Sequence, residues 1–523
     1  TMTEPAPRRR WEMPLLIGFV ALGAFLRFWG LGSWGLENDE ETMAMPTLHI
    51  LRDGMPILPS GMIYVRGIAQ LYMMAASVKV FGPSEWALRI PSVLCGLALI
   101  PLAYVYGRRF LNATWNMGFV AVATCLPAFI ADSQEARMYI FLLAGLALYT
   151  ILLFSWERTG RDSRLVAAVA VMLVTLQFHT LAVFGAFLVF FPALLRGSTR
   201  AMTKALVAFV AIVAGYELIS SWIGSFYPPR PASHGVTVVA EKHLGGFAHL
   251  GFPPLAYFVG ALIAAGLAFL IARGSMRAVH RVVIGCTAFA SLACAMILFY
   301  HLAVILALIT AILLWRNADR PLVRISLLVV PLLLLSAVQL YLLHRTGIYP
   351  GRKVIGAMVG LPSIWPFFRM MPYTLGGFAV VIVGALAALR ELAMRRRIDD
   401  YWLLLLLGLW VPVFLIGMFA WNVEQRYTEF ALLPVFVCAL AWLQRIVPRR
   451  PVAASVLAAL VLINPVATAR VVNAGYTIHP DHKGAAEFIR SMDPGPQDLL
   501  IAEDVNQQTY YLGKVDYWVI SNQ

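Results

Sequence analysis

The sequence predicts an all-α polytopic membrane protein of about 13–15 transmembrane helices, and three observations predict it. Of its 523 residues, 60% are hydrophobic and only 13% are charged. Soluble domains carry about 45–50% and about 25%. The apolar residues fall in blocks of about 15–25, the length of helix that crosses a hydrocarbon core of about 30 Å. The breaks between blocks are rich in Arg, Pro and Gly. A membrane barrel would instead read as short alternating segments.

The net charge of +14 would point to nucleic acid in a soluble chain. Here the excess lies in short connections between apolar blocks, the mark of the cytoplasmic side of a helical membrane protein, so no nucleic-acid partner is expected. Cys95, Cys125, Cys286, Cys294 and Cys438 sit inside apolar blocks with no Cys-x-x-Cys, and read as small core hydrophobes. His234, His243 and His249 are scattered through one loop and are not read as a metal site.

Arg8, Arg9 and Arg10 precede the apolar stretch from Trp11 to Leu31, and no small-residue cleavage site follows. This is read as an uncleaved first span, about 13–31, with a cytoplasmic amino terminus. Residues 62–81 decide the frame. Arg66, Gln70 and Lys79 interrupt them, which suits a helix lying along the membrane surface. With that choice the first outer loop covers 32–86. Spans follow at about 87–107, 115–131, 138–156, 164–178, 180–195, 203–223, 252–272, 280–298, 299–315, 322–343, 373–391, 401–421, 428–446 and 451–468. Every inside connection is then basic: Arg108/Arg109, Arg158/Arg161/Arg164, Arg196/Arg200/Lys204, Arg273/Arg277/Arg281, Arg316/Arg320/Arg324, Arg395/Arg396/Arg397 and Arg445/Arg449/Arg450. The transmembrane domain is expected over 1–470. The remainder, 471–523, has helical spacing at 482–492 and strand-like DLLI and YWVI runs, and is read as the start of a small α/β segment outside.

The outer segments hold most of the acidic, His, Pro and aromatic residues that lie outside the helices. Leu31 to Glu41 (LGSWGLENDEE) places Glu37, Asp39, Glu40 and Glu41 where the first helix leaves the membrane. Asp132 to Tyr139 (DSQEARMY) brings Asp132, Glu135 and Arg137 to the same face. Asn422 to Tyr427 (NVEQRY) adds Arg426 and Tyr427, and His344 to Lys353 (HRTGIYPGRK) adds Arg345, Arg352 and Lys353 in a loop that should be poor in cations. Solvated caps and snorkelling arginines are the ordinary explanation of each piece. Acids together with guanidinium groups also suit a transfer reaction at an anionic lipid: a carboxylate takes a proton from an acceptor hydroxyl, and Arg and Lys neutralise a leaving phosphate.

At these residues the sequence resembles a known family. Leu26 to Glu40 (LRFWGLGSWGLENDE) is similar to the first helix and Asp-Glu loop of GT-C membrane glycosyltransferases, in the branch of the protein O-mannosyltransferases and the aminoarabinose transferase of lipid A. Phe81 to Tyr106, with its Phe-Gly…Glu…Arg-x-x-Ser pattern, resembles the lead into their second span, and Glu135 to Tyr139 and Arg426 to Pro434 resemble recurring segments. The resemblance is dense over 22–157, thin in the middle, and returns at 420–445. It implies a polyprenyl-phosphate sugar donor and an inverting displacement at the bacterial inner membrane, with the tail periplasmic. By resemblance Asp39 stands at the position of the catalytic base and Glu40 is the adjacent acid. Glu135, preferred over Asp132, lies near the second acidic site, and Arg137 and Arg426 face the lipid phosphate. No cofactor is implied, because guanidinium groups replace a metal at a monophosphate leaving group; dependence on a divalent metal stays open. The family's Lys-Pro-Pro is absent, and Arg66 in Ser60 to Gln70 (SGMIYVRGIAQ) stands in for that Lys. The long middle loops of the protein O-mannosyltransferases are not recognisable, so a lipid or glycan acceptor is expected over a protein. The alternative is a transporter or flippase of a lipid-linked saccharide, which would bury charges along a path; Glu217 is the clear acid deep in a span.

Overall fold

The computed structural model describes residues 9–225, 429–474 and 482–518, apart from breaks at 37, 59–60, 62, 191, 194–197, 496, 503–504 and 514. The spans predicted between 252 and 421 lie outside the described residues.

Helix α1 (Glu12–Phe28) is apolar along its length and stops where Trp29 turns extended. A long excursion follows before α4 (Glu85–Gly107) runs back antiparallel to it. The pairing is fixed at both ends: Tyr104 bonds Glu12 at one, and Arg89 bonds the carbonyl of Leu31 at the other. Both ends of the 32–86 excursion therefore sit at the same end of the bundle. The excursion carries two helices, α2 (Asn38–Asp53) and α3 (Ile68–Phe81). The 14 residues of α3 rise only about 21 Å, short of a hydrocarbon core.

Helix α5 (Ala113–Cys125) starts under Asn112, whose side chain accepts the Trp115 N–H at 3.1 Å. The sequence predicts one span over 115–131. Instead the chain bends by 44° into α6 (Pro127–Gln134). Pro127 has no N–H to continue the ladder and favours an extended Leu126, so the helix restarts at the proline. As a result Asp132 is helical and buried, not part of a turn. Helices α7 (Tyr139–Thr159) and α8 (Asp162–Phe178) form an antiparallel pair around Gly160, which turns at φ 68°. The helix expected over 180–195 appears as a tighter 3₁₀ segment, Thr180–Val189, where the Tyr149 hydroxyl donates to the carbonyl of Ala186 at 3.2 Å. Helix α9 (Thr199–Ser225) follows, tied to the start of α8 by Lys204 and Asp162.

The chain returns as α10 (Leu432–Ile446), α11 (Pro451–Ile463) and α12 (Pro465–Ala474). The expected span 451–468 breaks at Asn464, left-handed at φ 48°, because Pro465 opens a new helix. These helices close against the front of the chain. Gln444 accepts the N–H of Asn112 at 2.8 Å, Ser455 reaches the Thr114 carbonyl at 3.2 Å, and Thr468 reaches the Cys125 carbonyl at 2.8 Å. The tail adds α13 (His482–Ser491) and α14 (Val505–Leu512), with two-residue strands β1 (Ile501–Ala502) and β2 (Tyr517–Trp518) paired in parallel.

Among the described residues, α4, α7 and the 203–220 stretch of α9 are long and apolar enough to cross a membrane; the bent α5–α6 pair makes a fourth. The core runs through fully buried Trp115, Phe119, Phe129, Tyr149 and Trp156. Close approach needs small residues here, since lipid removes the hydrophobic drive between helices. Gly96 of α4 packs directly on Ser133 of α6, where a side chain would clash. The helix directions also sort the connections: Arg108 and Arg109, Arg158 to Arg164, Arg200 with Lys204, and Arg445 to Arg450 all lie at the Glu12 end, opposite the acidic loop.

Candidate functional site

The site is built where α1 ends and α2 begins. Arg89, fully buried one turn into α4, faces the loop between them. Its guanidinium donates to the carbonyls of Leu31 (2.8 Å), Trp34 (3.2 Å) and Gly35 (2.8 Å). Nε and Nη2 grip both oxygens of Glu40 at 2.8 and 2.6 Å. The Trp34 ring lies 5.4 Å from the guanidinium. A two-point guanidinium–carboxylate pair of this kind is geometrically specific, and burying it is tolerable only because its remaining bonds are also met. Glu40 also accepts the N–H of Ala136 at 2.6 Å. That bond draws the chain after α6 onto the first turn of α2.

Arg137 completes the join. Nη1 donates to the Asp39 carbonyl at 2.8 Å, and Nη2 lies 3.3 Å from Asp39 Oδ2. Further contacts reach Thr42 Oγ1 at 3.4 Å and the Tyr139 hydroxyl at 3.5 Å. Burial opposes the positive charge, but Tyr139, Tyr64 and Asp39 favour it, and the net effect keeps the guanidinium firmly protonated. Arg137 is buried, whereas the Asp39 side chain is 41% exposed. A fixed cation thus stands behind a carboxylate that reaches the surface. Glu135 caps α6, half-buried, one residue from the Ala136 N–H that binds Glu40.

The bend in α5–α6 is held by two reciprocal caps. Arg27, fully buried in α1, donates to the carbonyls of Thr124 (3.0 Å) and Ala123 (3.4 Å), which the bend leaves without helical partners, and to Ser133 Oγ (3.1 Å). Gln134 answers by donating to the carbonyls of Leu26 (3.2 Å), Arg27 (3.4 Å) and Trp29 (3.0 Å) at the end of α1. Each helix end is capped by the other's side chain, so α6 cannot slide without breaking both.

Asp39, Glu40, Glu135 and Arg137 therefore come together, with Asp132 buried in the helix behind them. Arg66 is exposed and directly precedes Gly67, whose tight approach to Met138 and to the Phe178 carbonyl puts this turn beside the site. Arg345, Arg352, Lys353, Arg426 and Tyr427 lie outside the described residues, as do His234, His243 and His249. Among the described residues no group of three His, Cys, Asp or Glu could hold a metal ion. Sequence reasoning missed Arg89, Arg27 and Gln134. An Arg inside an apolar helix was the available signal for the first two.

No family model and no curated protein matches the chain. Solved structures do. The apo oligosaccharyltransferase of Archaeoglobus fulgidus aligns over 98% of this chain and 65% of its own, with a TM-score of 0.56 at 13% identity. The same archaeal enzyme, AglB, in complex with an inhibitory peptide and a dolichol-phosphate, aligns over 97% and 64%, with a TM-score of 0.54 at 13% identity. ArnT from Cupriavidus metallidurans bound to undecaprenyl phosphate aligns over 97% and 85%, but at a TM-score of 0.39 and 15% identity, too low to bear on the fold. The chain spans less than two thirds of the length of the oligosaccharyltransferases it matches. Helices long and apolar enough to cross a membrane and this likeness together make the chain a membrane protein with the GT-C fold.

Proposed function

We propose that this protein is an inverting membrane glycosyltransferase that moves a sugar from a polyprenyl-phosphate donor to a hydroxyl acceptor, a lipid or glycan, at the outer face of the bacterial inner membrane. In this reading the whole chain carries about 13–15 spans, with a cytoplasmic amino terminus and a periplasmic tail. The observation that carries the reading is the half-exposed Asp39 carboxylate standing 3.3 Å from the buried Arg137 guanidinium, at the end of the bundle opposite the basic connections. Its likeness in fold to an enzyme solved with a dolichol-phosphate adds support for a lipid phosphate carrier.

The chemistry follows from the charges. Asp39 accepts the proton of the acceptor hydroxyl as that oxygen attacks the anomeric carbon. The bond from that carbon to the phosphate oxygen breaks, and its electron pair leaves with the polyprenyl phosphate. Arg137, with Arg66 and the loop cations Arg345, Arg352, Lys353 and Arg426, offsets the charge that builds on the phosphate. Tyr427 joins them as a phosphate donor of a hydrogen bond. Glu135, at the end of α6, is the second acid. Glu40, saturated by Arg89 and Ala136, acts by holding Asp39 in place.

The test is direct. Purified protein is offered a polyprenyl-phosphate sugar with a panel of acceptors, and release of polyprenyl phosphate is compared with that of Asp39→Asn. Loss of release in the variant is expected. Release at the wild-type rate would remove Asp39 as the base, and export of the intact donor without cleavage would make the protein a transporter.

A further inference from the structure

The acidic loop is gripped from two sides, and the second grip comes from the far end of the chain. From the bundle side, Arg89 holds the carbonyls of Leu31, Trp34 and Gly35. From the other side, the Tyr511 hydroxyl of α14 accepts the N–H of Leu36 at 2.7 Å and donates to Glu85 Oε1 at 3.2 Å. Lys483 of α13 places Nζ 3.2 Å from the same oxygen. Glu85 and Arg89 are one turn apart on α4, so they share a face. One helix face therefore anchors both the loop and the tail segment that covers it. Leu36 is 1% exposed and packs with Met43 and Ala44 of α2, Leu71 of α3 and Leu88 of α4, and Tyr510 closes over this cluster. Asp39 follows three residues later, and Arg137 holds its backbone carbonyl at 2.8 Å.

The packing is tight as well as polar. A Cβ on Gly35 would lie 3.0 Å from the Tyr511 hydroxyl and 3.1 Å from Lys483 Cβ, so a side chain there would make the tail give by a few tenths of an ångström. Burial, with the nearby Glu85 charge adding to it, pushes the Tyr511 phenol above its ordinary value despite the opposing Leu36 N–H bond. The hydroxyl thus keeps the proton it gives to Glu85.

We propose that Tyr511 and Lys483 are positioning residues for sugar transfer: docked on Glu85, the tail segment fixes Leu36 and thereby the placement of Asp39. The proposal rests on the glycosyltransferase reading above. A displacement of about 1 Å at a reacting group costs up to about 100-fold in rate. Tyr511→Phe keeps the ring but removes both hydrogen bonds and leaves the buried Leu36 N–H unmet, so the melting temperature should drop modestly and, with both proteins assayed below their midpoints, kcat should fall by about 10-fold with KM for the donor held.

Rescue separates positioning from simple damage. In a Tyr511→Phe background, the pair Gly35→Cys and Lys483→Cys brings two Cβ atoms near disulfide range, about 3.5–4.5 Å, with a shift of a few tenths of an ångström. Oxidation should form the cross-link and return kcat to within about threefold of wild type, and reduction should lose it again. Three results overturn the proposal: an unchanged kcat in Tyr511→Phe, a cross-link that forms without recovery, or thiols that never couple. A wild type that transfers no sugar overturns the reading beneath it, while coupling of the two thiols still reports the docking.

Discussion

The first helix has a buried or half-buried carboxylate at each end, and the two are built for different purposes. Glu12 is fully buried. One oxygen takes the Tyr104 hydroxyl at 2.8 Å and Arg108 at 3.3 Å, and the other takes the N–H of Arg9 at 2.7 Å. At the opposite end two acids stand side by side. Glu40 repeats the Glu12 solution, closed over by Arg89 and Ala136. Asp39 does not: its side chain reaches the surface, with Arg137 behind it. A carboxylate whose hydrogen bonds are spent on its own chain has no capacity left for an acceptor hydroxyl. The pairing of Glu40 with Arg89 leaves the adjacent Asp39 at the surface, where a substrate can approach.

The largest effect tests that division. Asp39→Asn should lower the transfer rate by about 10²–10⁴-fold while the thermal unfolding midpoint in detergent barely moves, because a general base contributes on this scale and the Arg137 bond to the backbone carbonyl of residue 39 persists. Early unfolding of the Asp39→Asn variant would move Asp39 into the structural class with Glu12. Arg89→Met is the converse. It strands the buried Glu40 charge and three loop carbonyls, and should cost about 3–5 kcal/mol of stability, read as a lowered midpoint.

What could be read from sequence follows the range of the forces involved. Acids clustered after an apolar block are visible one by one, so the Asp39 loop and the 132–139 segment were legible, as was the frame that puts Arg108 and Arg158 at the same end. A short helix apart from the long spans was legible too, from Arg66, Gln70 and Lys79 inside a short apolar run. The roles of Arg89, Arg27 and Tyr511 were not, because their partners include backbone groups from 54 to 475 residues away that carry no residue signature. Residue type and spacing do not tell Asp39 from Glu40, which only the resemblance separates in the sequence; the reach of Arg89 to Glu40 is a physical difference between them. The bend at Pro127 was hidden by unbroken hydrophobicity on both sides, although the proline itself marks it.

Gln134 carries the next effect. Gln134→Leu keeps the volume and deletes the donor that meets three carbonyls at the end of α1. Stability should fall by about 1–3 kcal/mol, the cost of leaving buried acceptors unmet. Because α6 leads straight to Glu135 and Arg137, the transfer rate should fall as well. A rate untouched by a measurable loss of stability would mean that the Glu40 bond to Ala136 alone fixes that segment.

Glu12→Gln gives the smallest effect and the sharpest contrast. The single amide oxygen accepts from Tyr104 or from Arg9 but not from both, so one of these bonds goes together with the charge facing Arg108, which is itself partly exposed. Partial solvation of Arg108 limits the ionic part, and the loss should be about 1–2 kcal/mol. The α1–α4 contact at this end lies the length of α1, about 26 Å, from where the chain leaves that helix toward the acidic loop. The transfer rate should therefore equal that of wild type once both are assayed below their midpoints. A rate that drops with Glu12→Gln would mean that the two ends of α1 are coupled through the helix, and that the Glu12 cluster belongs to the working machinery.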